Sequence, residues 1–306
     1  MKIYYGINDG RLKIKPRCVA VGIFDGVHRG HQKILGRVLS DADRLGMNAA
    51  VITFDPHPST VLGPKKSVPF LMSLPHRLNF FGAMGFSEAI VISFDKKFST
   101  ISRETFLRDC LIDKLGMKTI SVGHDFRFGY QARGDTEFLS KEARKQGFKL
   151  HVAKPLKRNG IIISSTRIRH LIEKGKLAKA AQMLGRPVSV YGTVVRGRGR
   201  GRGLGFPTAN LNPHHETLPP GGVYAAWGRF CGTKIKGVIH IGERPTFKDR
   251  EKALEIHFLD FKEKIYGKEM ELFFLKRLRG TRRFKNPKEL QRAIRKDIRK
   301  ALRIFG

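Results

Sequence analysis

The chain has few of the residues that mark several large protein classes. Three cysteines, Cys18, Cys110 and Cys231, are spread through 306 residues without a CxxC pair. That excludes a disulfide framework and a zinc ribbon, and it leads to the expectation of a reducing, cytoplasmic setting. No run approaches the roughly 18 consecutive apolar residues of a membrane span, so no membrane partner is expected. The opening "MKIYYGINDGRLKIKP" lacks the apolar core of an export signal. Neither GxxxxGK[ST] nor a complete GxGxxG occurs, which removes the P-loop and the dinucleotide fingerprint. Acidic residues are also scarce: 26 Asp and Glu stand against 60 Lys and Arg, a formal net charge of +34.

Such an excess attracts phosphate backbones without regard to base sequence and invites a nucleic-acid reading. Its distribution argues otherwise. Residues 1–185 hold 32 basic and 15 acidic groups and residues 186–306 hold 28 and 11, so each part carries +17. The densest stretch, 276–303, has 13 basic residues against Glu289 and Asp297. Charge spread in this way describes a surface adapted to anions in general, open to nonspecific polyanion binding but without an obligate nucleic-acid partner.

At this length two domains are expected, each able to bury its own core. Residues 1–185 alternate short apolar runs ("CVAVGIF", "NAAVITF", "EAIVISF", "KTISVG", "FKLHVAKPL") with helical patterns such as "HQKILGRVLSDADRLG" and "DTEFLSKEARKQG". That alternation predicts an α/β, doubly wound, mostly parallel sheet of Rossmann-like type. Gly175 and Gly185 punctuate "TRIRHLIEKGKLAKAAQMLG" as helix stops. Residues 186–306 read instead as strands and turns, "VSVYGTVV", "GVYAAWGRF", "IKGVIHIG", "ALEIHFLDF" and "EMELFFLKRL", which predicts a small antiparallel β-barrel. A terminal helix starts at Asn286 and Pro287, with Leu290, Ile294, Ile298 and Leu302 as its packing stripe.

In "AVGIFDGVHRGHQKIL" (20–35) a strand ends near Phe24, Gly22 and Gly26 permit close backbone approach, and a helix begins around His28 to Gln32. The start of a helix gathers unpaired N–H groups and the positive end of its dipole, which suits a nucleotide phosphate. His28 and His31, three apart, share one helix face and point at whatever sits over that end. Two other readings stand beside this one: a metal site with His57 of "FDPHP" as a further ligand, and a purely structural histidine pair.

HxGH after a first strand resembles the nucleotidyltransferase superfamily. With "GHDFRFG" (123–129) and "ISSTRIR" (163–169) downstream, the first part resembles the FMN adenylyltransferase module of bacterial bifunctional FAD synthetases. The resemblance implies that His28 and His31 contact the ATP phosphates and that Gly22, Phe24, Asp25, Asp125 and Arg127 bind nucleotide. It implies further that Ser164, Ser165 and Thr166 open a helix with hydroxyls and N–H groups, and that Arg169 stabilises the leaving phosphates. On their own, Ser164 to Thr166 are an ordinary cap, and Asp125 and Arg127 could pair with each other. His124 is a departure from the family and takes no role.

"GTVVRGRGRGRGLGFPTANL" (192–211) has the look of an RNA-binding RG repeat, yet it lies between a strand and a proline turn. Alternating glycines, among them Gly197 and Gly199, leave N–H groups free to face phosphate, and arginines such as Arg202 add charge. "GFPTAN" resembles the riboflavin kinase motif, in which Thr208 and Asn210 would arrange Mg²⁺ and the ATP phosphates. "GVIHIGERPTF", "LEIHFLDF" and "IYGKEMELFFLKRLR" continue the resemblance, which runs over about residues 15–305. In that pattern Glu255 is the general base toward the riboflavin 5′-hydroxyl; its bland alternative is an outward strand residue between Leu254 and Ile256. His240 and Arg198 depart from the family. The resemblance implies FAD biosynthesis from riboflavin, FMN and MgATP, with residues 1–185 as adenylyltransferase and 186–306 as kinase. Its rivals are a nucleic-acid-binding protein on the same scaffold and a kinase with a degenerate first domain.

Overall fold

A computed structural model of the chain describes residues 1–63, 69–196, 203–214, 216–230, 232–245, 250–261 and 263–306. Gly197, Arg198, Gly199 and Arg202 of the glycine track, Cys231, and the end of "GERPTF" lie outside the described residues. The chain forms two compact units, Met1–Val68 with Leu74–Ser164, and Pro69–Ser73 with Ser165–Gly306.

The first unit runs β1 (Lys2–Tyr5), β2 (Arg17–Val21), α1 (Arg29–Leu45), β3 (Asn48–Asp55), α2 (Pro58–Leu62), α3 (Leu74–Met84) and β4 (Glu88–Ser93). The short turns α4 (Lys96–Ser99) and α5 (Arg103–Thr105) lead into a π-helical segment, Phe106–Lys114. Then come β5 (Met117–Gly123), α6 (Thr136–Gln146), β6 (Lys149–Ala153), and a small antiparallel pair, β7 (Lys157–Arg158) and β8 (Ile161–Ile162). Six strands make one parallel sheet in the order β1-β4-β3-β2-β5-β6. All five residues of β2 are buried, as a strand covered on both faces requires. Val19, Ile52, Ile90, Leu111 and Ile120 meet in the core.

Beneath the sheet, where β2 and β4 begin, Arg17 is fully buried and its Nε donates to Glu88 Oε2 at 2.6 Å. Its other nitrogens donate to the carbonyls of Leu115 (2.6 Å) and Lys13 (2.9 Å). Removing one member of such a pair strands the other charge in a dry site. Glu88→Ala is therefore expected to destabilise the first unit by about 3–5 kcal/mol, read from urea unfolding. An unchanged midpoint would show the pair to be dispensable.

The second unit begins with α7 (Ser165–Glu173) and α8 (Leu177–Leu184), the latter ended by Gly185 in the left-handed region as expected. β9 (Val188–Val195), β10 (Ala209–Asn212), β11 (Gly222–Phe230), β12 (Thr233–Pro245), β13 (Arg250–Phe258) and β14 (Glu269–Arg279) close an antiparallel barrel in the order β10-β13-β12-β11-β14-β9. A Cβ on Gly192 would run into the Asn212 carbonyl, so β9 and β10 approach as they do only with glycine there.

The terminal helix, Pro287–Phe305, starts where expected: Asn286 caps it, accepting from Glu289 N at 2.9 Å. Its expected stripe holds only in part: Ile298 packs against the barrel and Leu290 and Ile294 are half-buried, but the fully buried positions are others. Leu302 is 47% exposed, whereas Ala293, Asp297 and Ala301 are buried. The helix is turned because two alanines let it come close to the barrel and because Asp297 accepts from Arg279 Nε at 2.9 Å. Among the described residues no helix is long and apolar enough to cross a membrane.

Candidate functional site

In the first unit the sheet order reverses at β2. From β2 the chain winds outward through β3 and β4, then returns to β5 on the other side, so the loops leaving the carboxyl ends of β2 and β5 part and leave a crevice. Those are the loops that carry Gly22–His28 and His124–Phe128.

The first loop is tightly made. Gly22 N donates to Ile52 O at 3.1 Å, and Phe24 (φ 53°), Gly26 (φ 78°) and Val27 (φ 35°) all take positive φ. For Phe24 and Val27 that conformation is costly and persists only if neighbours impose it. Phe24 is 3% exposed, its ring edge-on to His31 (5.4 Å) and to Phe81 (6.0 Å). A Cβ on Gly22 would sit 3.1 Å from the Phe24 ring, which explains the glycine. Gln32 Nε2 donates to Val27 O at 2.8 Å and ties the loop to the helix.

Helix α1 begins at Arg29, so His28 is its N-cap rather than its first residue, and His28 Nδ1 accepts from His31 N at 3.3 Å. The two imidazoles stack at 3.6 Å and 20°. His28 and Asp25 are buried at this helix end. His57, the further ligand of the metal reading, caps α2, its Nδ1 accepting from Ser59 N at 3.0 Å. Among the described residues no group of three or more His, Cys, Asp or Glu is arranged to hold a metal ion.

In the second loop Arg127 pairs with Asp135 (2.9 Å), not with Asp125. Asp135 caps α6, and the Phe138 N–H together with Arg127 holds its carboxyl below the usual value. The Asp125 side chain is 83% exposed, with His124 Nδ1 3.8 Å away. Phe126 and Phe128 stack at 5.3 Å.

Ser164 ends the first unit, while Ser165, Thr166 and Arg169 belong to α7 of the second. Arg169 Nε donates to Pro69 O at 2.8 Å within that unit.

On the barrel, three expected or departing residues stand in one cross-strand row. Asn210 of β10 is opposite Glu255 of β13, which is opposite His240 of β12. Leu254 and Ile256 are each 1% exposed and point inward, so Glu255 points outward and is half-buried beside Asn210, itself 4% exposed. Thr208 is half-buried just before β10. Two residues along β13, His257 Nδ1 lies 2.8 Å from Pro207 O and its ring stands edge-on to Phe206 at 5.6 Å. Gln291 of the terminal helix donates to Leu204 O at 3.1 Å. The segment leading to Thr208 is thus pinned from two sides. Sequence reasoning missed both pins, although strand alternation puts His257 on the face of Glu255.

The family model for FAD synthetase matches residues 12–167, and that for riboflavin kinase matches residues 184–305. The bifunctional riboflavin kinase/FMN adenylyltransferase of Escherichia coli (strain K12) is 33% identical over 308 residues, covering 100% of this chain and 98% of its own. That of Buchnera aphidicola subsp. Acyrthosiphon pisum (strain APS) is 33% identical over 301 residues, covering 97% and 96%. A crystal structure described as a macrolide-efflux protein from Streptococcus pneumoniae has a TM-score of 0.84 at 26% identity, covering 98% of both chains. With two family models in sequence and relatives matched end to end, the chain belongs to the bifunctional riboflavin kinase/FMN adenylyltransferase family.

Proposed function

We propose that the family's two reactions run on two separate residue sets of this chain, one on residues 1–185 and one on residues 186–306. The chain is a bifunctional transferase of FAD biosynthesis: it phosphorylates riboflavin to FMN with ATP, and it transfers the adenylyl group of ATP to FMN, releasing pyrophosphate.

The observation that carries the adenylyl assignment is the stacked histidine pair at the N-terminus of α1, in the crevice between the β2 and β5 loops. An FMN phosphate oxygen attacks the α-phosphorus of ATP, and the bond to the β-phosphate oxygen breaks. No covalent enzyme intermediate is needed, so catalysis consists of holding the phosphates in line and balancing their charge. His28, His31 and the Gly22–Asp25 loop do this at the reacting phosphate, and Asp125 and Arg127 bind nucleotide. Ser164, Ser165, Thr166 and Arg169 are assigned to the leaving pyrophosphate on the motif alone.

In phosphorylation the riboflavin 5′-oxygen attacks the γ-phosphorus, ADP leaves, and the Glu255 carboxylate accepts the hydroxyl proton. The Thr208 hydroxyl and the Asn210 carboxamide are hard oxygen donors, fitting a Mg²⁺ that arrives with ATP and keeps water ligands. That ion would neutralise phosphate charge. Gly197, Gly199 and Arg202 are assigned to the ATP phosphates on the motif alone. A cytoplasmic enzyme with small-molecule substrates and no obligate nucleic-acid partner completes the proposal.

The test is to incubate the purified chain with riboflavin, ATP and Mg²⁺ and resolve the flavins. FMN followed by FAD is expected, with both lost in excess EDTA and restored by Mg²⁺. Conversion that survives chelation would remove the metal assignment. FMN without FAD would mark a degenerate first domain, and salt-sensitive RNA binding without conversion would favour the nucleic-acid rival.

A further inference from the structure

The phosphate loop of the first unit rests on a buried cation that the motifs do not include. Arg77, from α3, is 1% exposed, and its Nη1 donates to Ile23 O at 2.7 Å and to Thr53 Oγ1 at 2.7 Å. Thr53 Oγ1 donates in turn to Ile23 O at 3.2 Å, and Arg77 Nη2 reaches Phe54 O at 3.4 Å. These contacts clamp the carboxyl ends of β2 and β3 together one residue before Phe24 turns left-handed. One helical turn further along α3, the buried Phe81 meets the Phe24 ring at 6.0 Å, and the other side of that ring's environment is His31 at 5.4 Å. α3 therefore supports the loop twice, through backbone at Ile23 and through side chain at Phe24.

A guanidinium is expensive to bury, and an apolar residue would serve a core that needed only filling. Burial lowers the affinity of Arg77 for its proton, and the Asp25 and Asp55 carboxylates act in the opposite sense. The fork's geometry supplies what an apolar residue cannot: one group satisfying several carbonyl and hydroxyl acceptors at fixed angles.

We propose that Arg77 is a positioning residue of adenylyl transfer: it holds the Ile23 carbonyl and, with Phe81, fixes the left-handed turn at Phe24 against which the His28–His31 stack is set. This rests on the assignment of that stack to the ATP phosphates. A displaced Ile23 would let Phe24 relax toward ordinary φ, and the histidines would lose the ring that orients them.

Arg77→Lys keeps the charge but cannot bridge the same acceptors. It is expected to lower kcat for FAD formation from supplied FMN about 10–100-fold, as misplacement by up to about 1 Å does. KM for ATP and riboflavin phosphorylation are expected to stay within about threefold and twofold, since ground-state binding and the kinase residues are not touched. A loss of folded protein would mimic the fall in kcat, so the deciding measurement is a double-mutant cycle. In a His31→Ala background Arg77→Lys is expected to cost less than about twofold, because the group it positions is gone. Equal falls in both backgrounds, a change confined to KM, or no change at all would each overturn the proposal. If His31→Ala itself left FAD formation intact, the site assignment would fall instead. Should Arg77→Lys not fold, Phe81→Leu enters the same cycle with the same criteria.

Discussion

Glu255→Gln is expected to lower riboflavin phosphorylation by about 10²–10⁴-fold, the range lost with a positioned general base. The substitution keeps the volume and removes only the ability to accept a full proton. Glu255 is half-buried on the outer face of β13, between Asn210 and His240 in the cross-strand row, and the inward Leu254 and Ile256 carry the packing. A neutral amide there leaves the barrel core untouched. FAD formation from supplied FMN is therefore expected to remain within about twofold of the parent chain, as for substitutions at independent sites. The measurement is two assays on one preparation, riboflavin to FMN and FMN to FAD, each with ATP and Mg²⁺. Phosphorylation persisting near the parent rate would return Glu255 to an outward strand residue, and loss of both activities in folded protein would end the picture of separate residue sets.

The parts of this molecule that were legible in the sequence are those where one physical rule acts alone. "CVAV" reads as a strand because every residue of β2 is buried between helical layers, and "AAVIT" reads likewise in β3. β1 escaped notice because "KIYY" buries only Tyr4 and pairs with β4 at the sheet edge. β10 escaped because "ANLN" is short and half of it is asparagine. The π-helical Phe106–Lys114 follows a period that an α-helical template does not match. Leu302 misled because an apolar residue at helical spacing looks like core, while the buried positions of this helix are small Ala293 and Ala301 with a charged Asp297, and of the expected stripe Ile298 packs against the barrel.

The site was legible as motifs but not as mechanics. HxGH pointed to this helix end, yet nothing in the string reveals that His28 is a cap, that Phe24 is left-handed, or that Arg127 turns to Asp135. The cap partner is three residues away and Asp135 eight, within reach but not specified by spacing, while the Phe24 turn leans on Phe81, far along the chain. Arg77 is the clearest case. In sequence it is one arginine among many on a modestly amphipathic helix, and only tertiary structure distinguishes it from a solvated one.

The capping role of His28 governs how the histidine pair is to be tested. His28→Ala would remove the acceptor for His31 N and so cost about 1 kcal/mol of helix stability along with any phosphate contact, mixing two effects. His31→Ala leaves the cap in place, because the cap bond uses the His31 backbone. It removes one imidazole from the proposed phosphate site and deprives Phe24 and His28 of a ring neighbour. FAD formation is expected to fall about 10²–10³-fold, as when one donor is lost from a preorganised anion site. Riboflavin phosphorylation should continue, so FMN accumulates where the parent chain yields FAD. His28→Asn completes the comparison: Asn is among the strongest N-caps, so melting should match the parent chain while FAD formation falls as it does in His31→Ala. If His28→Asn instead left FAD formation at the parent level, His28 would be a cap and nothing more, and phosphate contact at this helix end would rest on His31.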